Sequence, residues 1–149
     1  MAFLKVIDTS GTFTVPKTAS YKIICVAGGN GGGSEGAGSG GDTSFGSYCT
    51  ASGQWGGNAA QGGRNGYTLF DYGTIGASAR SQGIGYGAGG DGGNTGSNGG
   101  ACGKVNIAVA ELTSGAAITC TIGAGGTAGT GANPGGAGLS GVIVVQEVG

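Results

Sequence analysis

Eight side chains in this sequence are suited to binding a partner, and most of them are aromatic. Tyrosine and tryptophan set among serine, glycine and asparagine give a large contact area at a small loss of conformational entropy, as in antibody paratopes. Arginine adds hydrogen-bond donors beside the rings. The predicted binding residues are Tyr48, Trp55, Arg64, Tyr67, Phe70, Tyr72, Arg80 and Tyr86. An alternative interpretation places Phe45, Leu69 and Phe70 in a second small core.

The sequence contains no convincing catalytic motif. The chain contains no histidine, which excludes Ser-His-Asp and Cys-His nucleophiles and the H-E-x-x-H metal motif. Residues 36–41 match G-x-G-x-x-G, but no amphipathic helix follows to present its amides to a pyrophosphate. No acid/base pair is specified by the spacing of the carboxylates Glu35, Asp42, Asp71, Asp91 and Glu111. We therefore predict a protein that is not an enzyme and has no cofactor.

The cysteines do not indicate a metal site. They are far apart, none forms a C-x-x-C pair, and no histidine is present to complete a zinc site. Cys25 and Cys120 fall on the apolar faces of predicted strands, where a thiol usually acts as a small buried hydrophobic group. Disulfides are the alternative, and the sequence does not choose among the three full pairings of Cys25, Cys49, Cys102 and Cys120.

Charge and hydropathy narrow the choice of partner. The chain has six Lys and Arg residues and a formal net charge of −1. The cations are scattered, so no basic stripe is available for a phosphate backbone, and we predict no binding to nucleic acid. The N-terminal residues lack the apolar core of a signal peptide, and no apolar run approaches 18 residues. We expect a protein that is made in the cytoplasm and does not insert into a membrane.

The glycines that would position the binding residues recur with a period of three. The chain has 41 glycines, and the period is clearest from Gly87 to Gly99 and from Gly123 to Gly141. A polyproline-II helix has three residues per turn, so such glycines form a bare stripe that lets a neighbouring backbone approach closely. Collagen is excluded because it needs far more than the two prolines present. Disorder is the alternative for this composition.

The sequence pattern at both ends of the chain predicts β-strands, which argues against disorder. Apolar residues alternate around Phe13 and Val15, from Tyr21 to Ala27, from Val105 to Val109 and from Ile118 to Ile122. Val142 to Val145 is a continuous apolar run suited to a buried strand, and Phe3 to Ile7 is a less regular candidate. No segment has a helical period.

We therefore predict a single all-β domain over residues 1–149, with little or no α-helix. Residues 1–27 and 101–149 would form a small β-sandwich core. Residues 28–100 would form an inserted polyglycine-II helix bundle that carries the aromatic loops. A lone polyglycine helix should melt, because each ordered residue loses about 1–2 kcal/mol of backbone entropy. Only a bundle that pairs nearly all its amides could be stable.

The order of several sequence blocks resembles a known family. The blocks are Gly11-Thr-Phe-Thr-Val-Pro16, Val26-Ala-Gly-Gly-Asn-Gly-Gly-Gly33, the turn Asp42-Thr-Ser-Phe-Gly46, Ile118-Thr-Cys-Thr-Ile-Gly-Ala-Gly-Gly126 and Gly135-Gly-Ala-Gly-Leu-Ser-Gly-Val-Ile-Val-Val145. Together they resemble the glycine-rich domain of bacteriophage tail-fibre and spike proteins. They are similar to the tip adhesins of T-even-like long tail fibres, in which a polyglycine-II bundle displays variable loops.

The resemblance implies a non-enzymatic virion protein that binds a host receptor. The contact loops would be residues 47–58 and 64–86, and the partners would be a bacterial surface glycan or outer-membrane protein and other virion proteins. It also allows a homotrimer. One alternative is an architectural capsid or tail decoration protein that binds no receptor. Another is a secreted glycine-rich protein, such as an ice-binding polyglycine bundle or an animal extracellular domain, for which the sequence lacks a signal peptide.

Overall fold

The computed structural model describes residues 2–53, 85–90, 100 and 102–148, and in these residues the chain is all-β. This confirms the predicted fold class. The described residues contain ten strands and no helix. The strands are β1 (Leu4–Ile7), β2 (Gly11–Thr14), β3 (Ala19–Val26), β4 (Gly33–Glu35), β5 (Thr43–Phe45), β6 (Cys49–Ala51), β7 (Val105–Leu112), β8 (Ala117–Thr121), β9 (Thr130–Pro134) and β10 (Val142–Val148).

The strands form two antiparallel four-stranded sheets and a two-stranded ribbon. The first sheet has the order β1-β10-β3-β7, the second has the order β2-β8-β5-β6, and β4 pairs with β9. The strands predicted at the chain ends are all present. One expectation was wrong: Asp42 to Gly46 is not a turn, because Thr43–Phe45 pairs with β6 and β8 as β5 and the turn follows at residues 46–48.

The core lies between the two sheets. Tyr21, Ile23 and Cys25 of the first sheet face residues of the second sheet that include Phe45 and Ile118, and all are buried. Phe45 therefore belongs to the main core, where its ring centroid lies 5.6 Å from that of Phe13. The alternative that placed Phe45 in a second small core is not supported for this residue. Its other two members, Leu69 and Phe70, lie outside the described residues.

Alternation predicted strand β7 but not which of its two faces is buried. Val105, Ile107 and Val109 alternate as predicted, but they lie on the outer face of the first sheet, where Val105 packs against a second buried cluster that includes Ile24 and Val26, and Val109 is 67% exposed. The inward side chains of β7 begin with Ala108 and Ala110, which lie opposite Ile23 and Tyr21 of β3, and end with the buried Leu112. Where the large side chains of β3 fill the space between the sheets, β7 therefore contributes small residues.

Beside the core, glycine-rich runs pack directly on one another. We call residues 28–33, 38–41, 85–90, 123–129 and 135–141 the glycine layer. Backbone amides donate from run to run: Gly31 to the carbonyl of Gly38 at 3.0 Å, Gly126 to Gly29 at 2.7 Å, and Gly138 to Gly126 at 2.9 Å. Two of these runs come from residues 123–141, which the sequence assigned to the β core.

The close approach of these backbones requires glycine. A Cβ placed on Gly126 would lie 2.0 Å from the carbonyl oxygen of Gly38, far inside van der Waals contact. The one large polar side chain buried in the layer, Asn30, accepts a hydrogen bond from the amide of Gly40 at 2.9 Å. The inserted polyglycine-II bundle itself remains a prediction, because residues 54–84 and 91–99 lie outside the described residues.

Candidate functional site

Two of the eight predicted binding residues can be placed in the structure. Tyr48 and Tyr86 are described, and both are exposed. The other six lie outside the described residues, namely Trp55, Arg64, Tyr67, Phe70, Tyr72 and Arg80. They remain predicted contact residues.

Tyr86 belongs to a segment that is held against the last glycine run. The amide of Gly87 donates to the carbonyl of Ser140 at 2.7 Å, and the amide of Leu139 donates to the carbonyl of Ala88 at 2.8 Å. Gly85 and Gly87 have positive φ values of 86° and 71°, a backbone conformation that favours glycine. The chain can therefore turn sharply on each side of Tyr86 and project its ring outward.

Tyr86 and Leu139 form the walls of an apolar groove. Each side chain is 39% exposed, and with Gly85 and Ser140 they line a space of about 300 Å³. We call this space the Tyr86–Leu139 groove. Its volume lies at the lower end of the range for small-molecule sites, roughly 300–1,000 Å³. The groove is large enough for one sugar ring or one bulky side chain of a partner.

A carboxylate accepts a hydrogen bond from the side chain of Tyr86. The hydroxyl of Tyr86 donates a hydrogen bond to Oδ2 of Asp8 at 3.3 Å, which ties the segment to the end of β1. Partial burial raises the pKa of Tyr86, and the charge of Asp8 and this hydrogen bond raise it further. The hydrogen bond to Asp8 orients the ring of Tyr86.

Tyr48 lies at a different place in the fold. It occupies the turn between β5 and β6, where its amide donates to the carbonyl of Phe45 at 3.0 Å. Its ring packs against that of Phe45 with centroids 6.3 Å apart. Tyr48 therefore belongs to the second sheet, whereas Tyr86 is tied to the first. The structure does not bring the two tyrosines into one site.

Three neighbours of Tyr86 were missed by the sequence analysis. Asp8, Leu139 and Ser140 were not predicted as binding residues. Leu139 could have been predicted, because it is a large apolar side chain in a run of glycine, alanine and serine. Such small residues cannot form a hydrophobic core around it. Asp8 and Ser140 gave no signal, because their proximity to Tyr86 depends on contacts between segments that are far apart in sequence.

The thiols of Cys25 and Cys120 offer no reactive centre. All four cysteines are free, and Cys25 and Cys120 are buried, as predicted from their strand positions. Burial raises the pKa of both thiols, with the neighbouring Cys49 raising that of Cys25 further. Thiolate, the nucleophilic form, is therefore scarce at neutral pH. Among the described residues, no three His, Cys, Asp or Glu side chains are grouped closely enough to hold a metal ion.

Comparison with known proteins identifies no relative of this chain. The chain matches no protein-family model, and the searches of curated proteins and of solved structures also found no match. Within the described part of the chain, no helix is long and apolar enough to span a membrane. The functional argument therefore rests on the geometry of the groove and the glycine layer.

Proposed function

We propose that this protein is a non-enzymatic bacteriophage virion protein, a tail-fibre or spike-type module that binds a receptor on the host surface. The observation that carries the proposal is the exposed pair Tyr86 and Leu139, held by backbone hydrogen bonds to the glycine layer. Apolar side chains that line a groove beside a few polar groups are typical of a binding site. The sequence resemblance to tail-fibre glycine-rich domains supports the same function.

The mechanism depends on rigidity. Ordering a flexible side chain at an interface costs about 0.5–1.5 kcal/mol, and a groove that is already ordered avoids much of that loss. The ring of Tyr86 would stack on the face of a sugar or on an apolar side chain of an outer-membrane protein. The predicted loop residues, Trp55 and Tyr72 among them, would enlarge this surface.

The proposal is tested by competition for adsorption. Purified protein is added to host bacteria before the parent phage, and we expect it to reduce the adsorption rate. Tyr86→Ala and Leu139→Ala should weaken this block about tenfold, the effect of losing roughly 1.4 kcal/mol of contact energy. Thr119→Ala, at an exposed position of β8, is the matched control. If the protein at saturating concentration does not slow adsorption, the receptor-binding function is wrong.

A second candidate is an architectural protein of the capsid or tail. It is favoured by the outer face of the first sheet, where Leu4 and Val6 on one edge strand and Ile107 and Val109 on the other are exposed. Exposed aliphatic side chains on one face of a sheet are a feature of assembly contacts. A decoration protein of this kind would bind phage particles but would not compete for adsorption, so the same assay separates the two functions.

A further inference from the structure

Strands β1 and β2 lie at the edges of the two main sheets, on the same side of the sandwich. β1 is the first strand of one sheet order and β2 the first of the other, and the loop of residues 8–10 joins them. The amide of Val15 donates to the carbonyl of Ala116, which fixes the direction of the backbone groups along β2. By alternation, the N–H and C=O groups of Thr12 and Thr14 point away from β8. Among the described strands, none pairs with this edge.

A small cavity opens between these two edges. It has a volume of about 110 Å³, and its lining includes Ile7, Gly11, Phe13 and Cys120. Gly11 and Phe13 are two residues apart in β2, so they share the face that points between the sheets. A Cβ placed on Gly11 would meet no atom within 4 Å. The cavity therefore exists because β2 carries no side chain at an inward position, and neither packing nor a positive φ requires the glycine there. We call this cavity the edge pocket.

We propose that the edge pocket binds an extended peptide segment of another virion protein, which pairs with the free edge of β2 and inserts one valine-sized side chain. The volume is below the roughly 300–1,000 Å³ of small-molecule sites. A cavity of about 150 Å³ holds a benzene ring, so this one fits a branched aliphatic side chain. Backbone groups at the edge supply the affinity in such strand addition, and the pocket supplies the specificity.

Charge specifies a second feature of the segment. Lys5 lies at the wall of the edge pocket on β1, and it is exposed. The described residues contain one ion pair, between Lys17 and Glu147, which leaves the ammonium of Lys5 available to an incoming carboxylate. Side chains two residues apart in a strand lie on the same face. The segment therefore carries an acidic residue two positions from its aliphatic residue. That the segment belongs to another virion protein rests on the proposed function, whereas strand pairing at the edge pocket does not depend on receptor binding.

The test is an NMR titration with defined peptides. The probes are acetylated heptapeptides of threonine, with a central glycine, alanine, valine or phenylalanine and a glutamate two residues later. The valine peptide should shift the Ile7 methyl and Cys120 amide resonances, and the glycine peptide should bind at least tenfold more weakly. Phenylalanine is too large for the pocket and should also bind weakly. Methylating the backbone nitrogens of the peptide that face β2 should abolish binding.

Protein variants locate the site. Gly11→Leu fills the pocket with its own side chain and should abolish the shifts while leaving the melting temperature unchanged or higher. Lys5→Glu should weaken binding about twofold to fivefold, the range for exposed ion pairs. Thr119→Leu, an exposed position on the neighbouring strand β8, should bind as the wild type does. The inference is overturned if no peptide binds at about 1 mM, if affinity does not depend on the central side chain, or if Gly11→Leu binds normally.

Discussion

Replacing Gly126 by alanine tests whether the glycine layer is held by direct contact of backbones. The added Cβ would lie 2.0 Å from the carbonyl oxygen of Gly38 and 2.7 Å from the amide nitrogen of Gly31. Carbon and oxygen atoms need well over 3 Å, and backbone atoms in a packed layer cannot rotate away as a side chain can. The runs must therefore separate by more than 1 Å, which is a distance that breaks hydrogen bonds.

Two hydrogen bonds are lost in that separation. The amide of Gly126 donates to Gly29 at 2.7 Å, and its carbonyl accepts from Gly138 at 2.9 Å. Each contributes about 0.5–1.5 kcal/mol, and a buried amide left without a partner costs about 1–3 kcal/mol more. Alanine returns about 0.4–1 kcal/mol through the unfolded state. The expected net loss of unfolding free energy is about 3 kcal/mol, which lowers Tm by about 6–12 °C in a chain of this length.

The assay is urea denaturation followed by circular dichroism, with Gly11→Ala as the control. A Cβ on Gly11 meets nothing within 4 Å, so alanine there should be neutral or stabilising by about 0.5–1 kcal/mol. The two variants make the same chemical change and differ only in what surrounds the new methyl group. If both have the same unfolding free energy, close backbone packing does not hold the layer together and the reasoning is refuted.

Three further results are expected. Thr43→Val removes the hydroxyl that accepts a buried hydrogen bond from the amide of Gly123 at 2.9 Å, so the unfolding free energy should fall by about 1–3 kcal/mol. Thr43→Ser keeps a hydroxyl and should retain most of that stability. Hydrogen bonds from Lys17 and from the backbone lower the pKa of Glu147 from 4.5. The stability that Glu147 contributes is therefore present above pH 4.5 and is lost as the pH falls through the lowered pKa. Glu147→Gln should flatten the acid limb of a curve of unfolding free energy against pH. Iodoacetamide added to the native protein should modify Cys102 alone, because the other three thiols are buried. Intact mass spectrometry should show one adduct before denaturation and four after it.

The long strands could be predicted because their pattern is local. Strand β3 alternates as far as Ile23 and is apolar from there to Val26, and β10 begins with four apolar residues, so each segment indicates a strand from its own residues. Strands β5 and β6 have three residues each, too few for a period to appear. Strand β9 contains glycine and ends at a proline, both unfavourable in strands, and it forms because β4 pairs with it across about 100 residues.

The candidate site could be predicted only in part, for a related reason. Aromatic composition pointed to Tyr86, whose exposure agrees with a contact role. Its neighbours depend on a carbonyl of Ser140 more than 50 residues away and on the end of β1. Hydrogen bonds between glycine runs fix these distances, and nothing in the local sequence of either run specifies its partner. The face of β7 was equally undetermined, because alternation does not say which side is buried.

The most direct test of the central claim is amide hydrogen exchange in the glycine layer. Exchange of the amides of Gly31, Gly126 and Gly138 can be followed by NMR alongside amides of β3. The account predicts that these glycine amides exchange about as slowly as those of β3, because each donates to a carbonyl of a neighbouring run. Exchange at the rate of an unstructured glycine peptide would contradict it, and the rigid support for Tyr86 and Leu139 would be lost with it.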